Sequence, residues 1–170
     1  DRPLKAKLFS PDDILMEILL YGLYPERMRF ENPRNYLLEL ADSVIFKDIV
    51  ELNLIENRSK AKELLKLLSY QIGNLISYSE IASKLSLDRR TVERYIDIFE
   101  QSYIIFRVYP YSKNKRDELG KMPKIYFHDL GLRNALIDDF NLSNLRLDFG
   151  AIFENFVVAE LRKAISYQQS

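Results

Sequence analysis

The sequence has no cysteine and a single histidine, His128, in 170 residues. Without cysteine there is no disulfide framework, and one imidazole without a thiolate cannot build a zinc site of the common Cys/His kinds within one copy. The absence of cysteine also suits the cytoplasm. Long apolar runs are missing too: no stretch approaches the roughly 18 uncharged residues needed to span a bilayer, and Asp1 to Phe9 lacks the apolar centre of a signal peptide. A soluble, cytoplasmic chain with no membrane partner is expected. Neither sign of charge is in excess, with 25 Lys plus Arg against 25 Asp plus Glu. The global field therefore gives no attraction to nucleic acid, and any such binding must come from local patches. Glycine and proline are few, at five and six, and 47% of residues are apolar, the composition of a folded, helix-rich chain long enough to bury a core without staples.

The start and stop signals of helices are frequent. Ser10-Pro11-Asp12-Asp13 combines a hydroxyl cap, a proline at the first helical position and carboxylates at the positive end of the macrodipole, predicting a helix to about Tyr21 that stops at Gly22. Tyr24-Pro25-Glu26 breaks the chain, and Asn32-Pro33 opens a longer helix to about Leu52, with Leu37, Leu40, Ala41, Val44 and Ile45 at helical spacing. A third helix from about Ser59 to Ile72 aligns Ala61, Leu64, Leu65, Leu68 and Ile72, and Gly73-Asn74 ends it.

Leu75-Ile76 leaves room only for a short strand before Ser77-Tyr78-Ser79-Glu80, a capping box. The helix it opens is short, and Asp88 caps the next one, so two helices meet through a tight turn. The second buries Val92, Tyr95, Ile96 and Phe99 and turns Arg90, Glu93, Arg94 and Asp97 outward. Beyond Gln101 the pattern becomes a β-rich run, Tyr103 to Tyr109, then a polar loop, then Lys124 to Phe127 as a second strand. Helix, helix, turn, helix, hairpin is the order of a winged helix-turn-helix. Further helices are expected at about Leu130 to Ile137 and Ala151 to Ile165, the latter with Phe153, Phe156, Val157 and Leu161 on its apolar stripe. The fold class read here is mainly α with a small β wing, a winged helix-turn-helix plus a helical N-terminal segment.

A helix fits the major groove and presents its first turn to base edges, where Arg pairs with guanine. Arg89, Arg90 and Arg94, with Thr91 beside them, are the DNA-contacting candidates. Glu93 lies four residues from Arg89 and Asp97 three from Arg94, so the same arginines can instead be neutralised in ion pairs on a purely structural helix. On the hairpin, Arg107, Lys113, Lys115, Arg116, Lys121 and Lys124 face only Asp117 and Glu118, a local excess of four positive charges. Lys113, Lys115 and Arg116 are the candidates for phosphate contact, against the alternative of an ordinary solvated tip. No catalytic or metal site emerges. Gly120-Lys121 lacks the earlier glycine of a phosphate loop, and His128-Asp129 supplies too few groups for a site and reads as structural.

These residues carry a resemblance. Leu23-Tyr24-Pro25-Glu26, Phe46-Lys47-Asp48-Ile49, Ser77 through Tyr95, Tyr109-Pro110-Tyr111-Ser112-Lys113-Asn114, Pro123 through Leu132, and Phe153-Glu154-Asn155-Phe156-Val157 fall in an order similar to the C-terminal region of archaeal and bacterial AAA-type ATPases that carry a domain of unknown function. Leu23 departs from that pattern, which tends to have a glycine there. The resemblance implies an ATPase module that binds ATP and Mg²⁺ in the parent protein, then a winged helix, then a part similar to PD-(D/E)XK nucleases. It places residues 1–56 as a helical segment following the ATPase module, 57–128 as the winged helix and 129–170 as helices beginning the nuclease-like part. Glu154 is the one acidic residue that carries over from that nuclease-like part. The expected function is a non-catalytic winged-helix module of such an ATPase, with no cofactor of its own, that contacts DNA or a partner domain, the ATPase module of the same chain being a further expected partner. Two alternatives stay open: a DNA-processing ATPase or nuclease whose catalytic parts lie outside these residues, and a structural lid that touches no nucleic acid.

Overall fold

The computed structural model describes residues 10–30, 32–44, 55–111, 121–141 and 146–168. These are mainly helical with one small antiparallel sheet. Helix α1 spans Pro11–Tyr21, and its start is the capping box that Ser10 and Asp13 form with each other's backbone. A 3-10 turn at Pro25–Arg29 leads into α2, Pro33–Glu39, which Asn32 caps. The chain then widens into π geometry at Leu40–Val44, and the expected continuation through Ile45 to Leu52 lies outside the described residues. Helix α3 is Arg58–Tyr70, α4 Tyr78–Leu85 and α5 Arg89–Gln101. Strands β1, Ile105–Val108, and β2, Lys124–Phe127, pair antiparallel, with Ile105 opposite Phe127 and Val108 opposite Lys124. Helices α6, Leu130–Leu136, and α7, Phe149–Gln168, complete the order.

The stripes on α3 and α5 lie where their spacing puts them. Ala61, Leu64, Leu65, Leu68 and Ile72 are buried, as are Val92, Tyr95, Ile96 and Phe99. One continuous apolar cluster runs from Leu19 and Leu37 through these side chains to Ile105, Phe127 and Ile152. The short strand expected at Leu75 is a single bridge to Lys124, flanked by Gly73 N–H donating to Ile125 O and Ile76 N–H to Pro123 O at 3.0 and 2.9 Å. Segment 73–76 thus lies along the edge of β2 away from β1.

Helix α6 sits at the centre, against α1, α2, α3 and α7. Gly131 lets it approach α1, since a Cβ there would run into the Tyr21 carbonyl oxygen. Gly22, at φ +71°, is likewise pressed against the Asp129 carboxylate.

The apolar stripe expected on α7 is corrected by the structure. Ile152, Asn155 and Ala159 face inward and Phe156 packs against the core as expected, while Phe153, Val157 and Leu161 are 43%, 38% and 57% exposed. The helix is rotated because Asn155, not a phenylalanine, is bonded to the backbone of β2: its Oδ1 accepts from Phe127 N at 2.7 Å and its Nδ2 donates to Phe127 O at 2.9 Å. A buried backbone N–H and C=O left without partners would cost roughly 1 to 3 kcal/mol each, which favours turning Asn155 inward.

Candidate nucleic-acid interface

Helices α4 and α5 pack against each other across a turn in which Ser86 takes a left-handed conformation, φ 53°, and Asp88 Oδ1 accepts from Arg90 N at 2.7 Å. With one face of α5 committed to the core, its first two turns hold Arg89, Arg90, Thr91 and Arg94 together. Arg89 donates through Nε to Glu93 at 2.9 Å, the expected i,i+4 pair. Arg94 pairs with Glu56 rather than with Asp97, both terminal nitrogens lying 3.1 Å from one carboxylate oxygen, and its guanidinium lies over the Tyr95 ring. Arg90 is exposed and forms no ion pair among the described residues, and Thr91 is half-buried. Exposed pairs such as these contribute about 0 to 1 kcal/mol, so a phosphate can exchange with the carboxylate at little cost.

The hairpin carries less free charge in its described part than its sequence suggests. Arg107 donates to Asp97 and Glu100 at 2.7 Å each and to the Tyr78 hydroxyl at 3.4 Å. Burial pulls its pKa down, but bonds to Tyr78 and Glu100 hold it above the ordinary value, so it remains a fully compensated cation. Glu100 also accepts from Arg107 N at 2.9 Å, occupying a donor on the outer edge of β1. Lys124 pairs with Glu154 at 2.9 Å. Arg107 and Lys124 therefore add nothing to a phosphate-binding field. Their carboxylate partners arrive from α5 and α7, which linear proximity does not reveal. Lys121 is exposed, while Lys113, Lys115 and Arg116 lie outside the described residues.

Between the start of α4, the first turn of α5 and the base of the hairpin lies a cavity of about 240 Å³. Arg89, Lys121, Tyr78, Tyr109, Ser77 and Ser79 supply its polar lining and Ile76, Met122 and Pro123 the rest. Tyr78 is bonded to both Arg107 and Tyr109, and burial pushes its phenol up to about 12. Of these residues only Arg89 is among the DNA-contacting candidates read from the sequence; neither tyrosine is.

The remaining candidates are built into the packing. Glu154 Oε1 accepts from Tyr126 OH at 2.6 Å and from Lys124 Nζ at 2.9 Å, bonds that keep its carboxyl below the usual range and tie α7 to β2. Among the described residues no three His, Asp or Glu side chains gather closely enough to hold a metal ion. Asp129 caps α6 by accepting from Leu132 N at 3.0 Å and also accepts from Leu23 N at 2.6 Å, at the end of α1. Burial nevertheless raises its pKa.

The family model for a domain of unknown function, DUF8612, matches residues 12–144. The chain belongs to this family. It is similar to an uncharacterised protein of Methanocaldococcus jannaschii, 29% identical over 167 residues, covering 94% of this chain and 35% of that protein. A second uncharacterised protein of the same archaeon is 27% identical over 143 residues, 79% of this chain and 30% of its own length. An uncharacterised protein of Mycobacterium bovis is 27% identical over 117 residues, 68% of this chain and 26% of its own length. The chain thus spans about a third of the length of these relatives or less. No solved structure matches it.

The DUF8612 match takes in nearly all of α1 through α6, including Arg133 and Asn134 of a polar network that the sequence did not disclose. Arg133 and Asn134 are 1% and 0% exposed. Arg133 donates to Ser69 O at 2.8 Å and to Asp148 at 2.6 Å, while Asn134 donates to the carbonyls of Leu19 and Leu20 that end α1. Arg146 joins Asp148 and Asn134 from the far side. Only the polar character of Arg133-Asn134 within an otherwise apolar run could have signalled it. The network fastens α1, α3 and α7 to α6 and so fixes the frame on which α4 and α5 stand.

Proposed function

We propose that this DUF8612 chain is a non-catalytic winged-helix module of an AAA-type ATPase that holds DNA, chiefly through backbone phosphates. The observation that carries the reading is the order α3, bridge at Leu75, α4, α5, β1 and β2, with the bridge and hairpin on one sheet beside the α4–α5 pair. That order supports reading the chain as a winged helix with α5 as its recognition helix. The first turn of α5 enters the major groove, where Arg90, free of carboxylates among the described residues, reaches base edges or phosphate. Arg89 and Arg94 exchange their carboxylate partners for phosphate oxygens, and Lys113, Lys115 and Arg116, between β1 and β2 in sequence, supply further phosphate contacts. Because Glu93 and Glu56 stay near the exchanged arginines, affinity remains modest, at roughly 10⁻⁴ to 10⁻⁶ M.

ATP and Mg²⁺ belong, in this reading, to an ATPase module of the parent protein. The glycines of this chain, at 22, 73, 120, 131 and 150, form no phosphate loop, so no step is routed through a nucleotide triphosphate here. A nuclease-like continuation rests on the resemblance at Glu154 alone. The lid alternative is favoured by one observation, the in-chain pairing of Arg89 and Arg94. Titration of a labelled duplex with wild type and Arg90→Ala separates the two: on the DNA reading wild type saturates at low salt and the variant loses any sequence preference, whereas a lid shows no saturable binding.

A further inference from the structure

The cavity beside α5 has a lining that neither a base-pair contact nor a simple phosphate clamp uses. Among the described residues its lining contains two cationic side chains, Arg89 and Lys121, two aromatic rings, Tyr78 and Tyr109, two hydroxyls, Ser77 and Ser79, and no carboxylate. Arg89 meets Glu93 through Nε alone among the described residues, which leaves its terminal nitrogens for an anion. The Tyr78 hydroxyl accepts from Arg107 Nη1 at 3.4 Å and is bonded to Tyr109, which places the two tyrosines side by side at the cavity. At about 240 Å³ the cavity is smaller than the roughly 300 to 1,000 Å³ that encloses a drug-sized ligand. Ser79, Arg89 and Lys121 are exposed, so it is open to solvent at one side and can admit one unit of a longer chain.

Resting on the DNA reading above, we infer that this cavity takes one unpaired nucleotide at the end of a duplex held by α5, its phosphate between Arg89 and Lys121 and its base against Tyr109. A paired base inside a duplex has both faces stacked and cannot offer one to a tyrosine, whereas an unpaired terminal base can. Aromatic rings bind bases of any kind because every base has a π-face, and cations fix the attached phosphate. The site therefore distinguishes the state of the strand, paired or unpaired, and not its sequence.

Fluorescence anisotropy with three labelled hairpin duplexes tests this: one blunt, one with a single unpaired thymidine at its 5′ end, one with the same nucleotide at its 3′ end. One of the two overhang duplexes should bind about fivefold or more tighter than the blunt form. Tyr109→Ala should remove that preference and Tyr109→Phe, which keeps the ring, should retain it. Lys121→Ala, at an exposed position, should weaken the preference even if Tyr109→Ala disturbs folding. Equal affinity for all three duplexes, or a preference that survives both Tyr109→Ala and Lys121→Ala, overturns the nucleotide site and leaves the DNA reading standing. Absence of binding to all three overturns the DNA reading and this inference together.

Discussion

The side-chain amide of Asn155 completes the hydrogen bonding of the Phe127 backbone, accepting from its N–H and donating to its C=O from a different element of the fold. Helix α7 thereby continues the pairing of β2 beyond the reach of β1. Each buried backbone group left unpaired costs roughly 1 to 3 kcal/mol. Asn155→Ala should therefore destabilise the chain by at least about 2 kcal/mol, while Leu161→Ala, at an exposed position, should cost about 1 kcal/mol or less. Urea midpoints of the two variants decide the matter. A larger loss for Leu161→Ala would restore the rotation of α7 that its apolar spacing suggests.

Leu65 on α3 and Phe99 on α5 are both 0% exposed. Truncating either leaves a cavity that the packed helices cannot collapse into, so Leu65→Ala and Phe99→Ala should each cost about 2 to 5 kcal/mol. An unchanged denaturation midpoint in either variant would place that helix in a different orientation.

The pH dependence of stability has two parts that weaken the fold as pH falls, and Asp129, whose raised pKa favours the folded chain on protonation, opposes them. Burial, with Arg162 and Lys163 adding to it, holds the His128 pKa below its ordinary value of 6.5. The unfolded chain takes up a proton there that the folded chain resists, so stability falls as pH drops below about 6.5 and continues to fall until the folded histidine protonates. Asp148, whose burial is outweighed by Arg146 and Arg133, and Glu154, bonded to Tyr126 and Lys124, have lowered values, so their contribution is lost only as pH falls below the ordinary carboxylate range. His128→Asn should flatten thermal midpoints between about pH 5 and 7 and leave the acid limb unchanged. Curves that superimpose on wild type across that window would remove His128 from the account.

Local signals were legible in the sequence wherever they acted within one element. The caps at Ser10 and Asp88, the stripes of α3 and α5, and the strand at Lys124 to Phe127 all rest on residues a few positions apart. The reading failed where a partner comes from far along the chain. Arg107 reads as a free cation of the hairpin until Asp97 and Glu100 fold against it, and Arg94 meets Glu56, 38 residues away. Asn155 stands outside the apolar stripe read for α7 and turns inward because β2 supplies its backbone partners. Of the candidate site, the arginines of α5 were legible because helical spacing alone groups them. The cavity was not, since Tyr78, Arg89, Tyr109 and Lys121 come from four separate segments.

The salt dependence of DNA binding tests the central claim most directly. Neutralising backbone phosphates releases condensed counterions, so the logarithm of affinity falls linearly with the logarithm of salt, by roughly 0.9 units for each phosphate contacted. Titrating a labelled duplex at several salt concentrations should give saturable binding at low salt with a steep negative slope. Replacing Lys113, Lys115 and Arg116 together by Ala should flatten that slope by about two to three units if each meets one phosphate. A wild-type chain that shows no saturable binding even at low salt would contradict the account, and α5 would then stand as a structural helix of a lid.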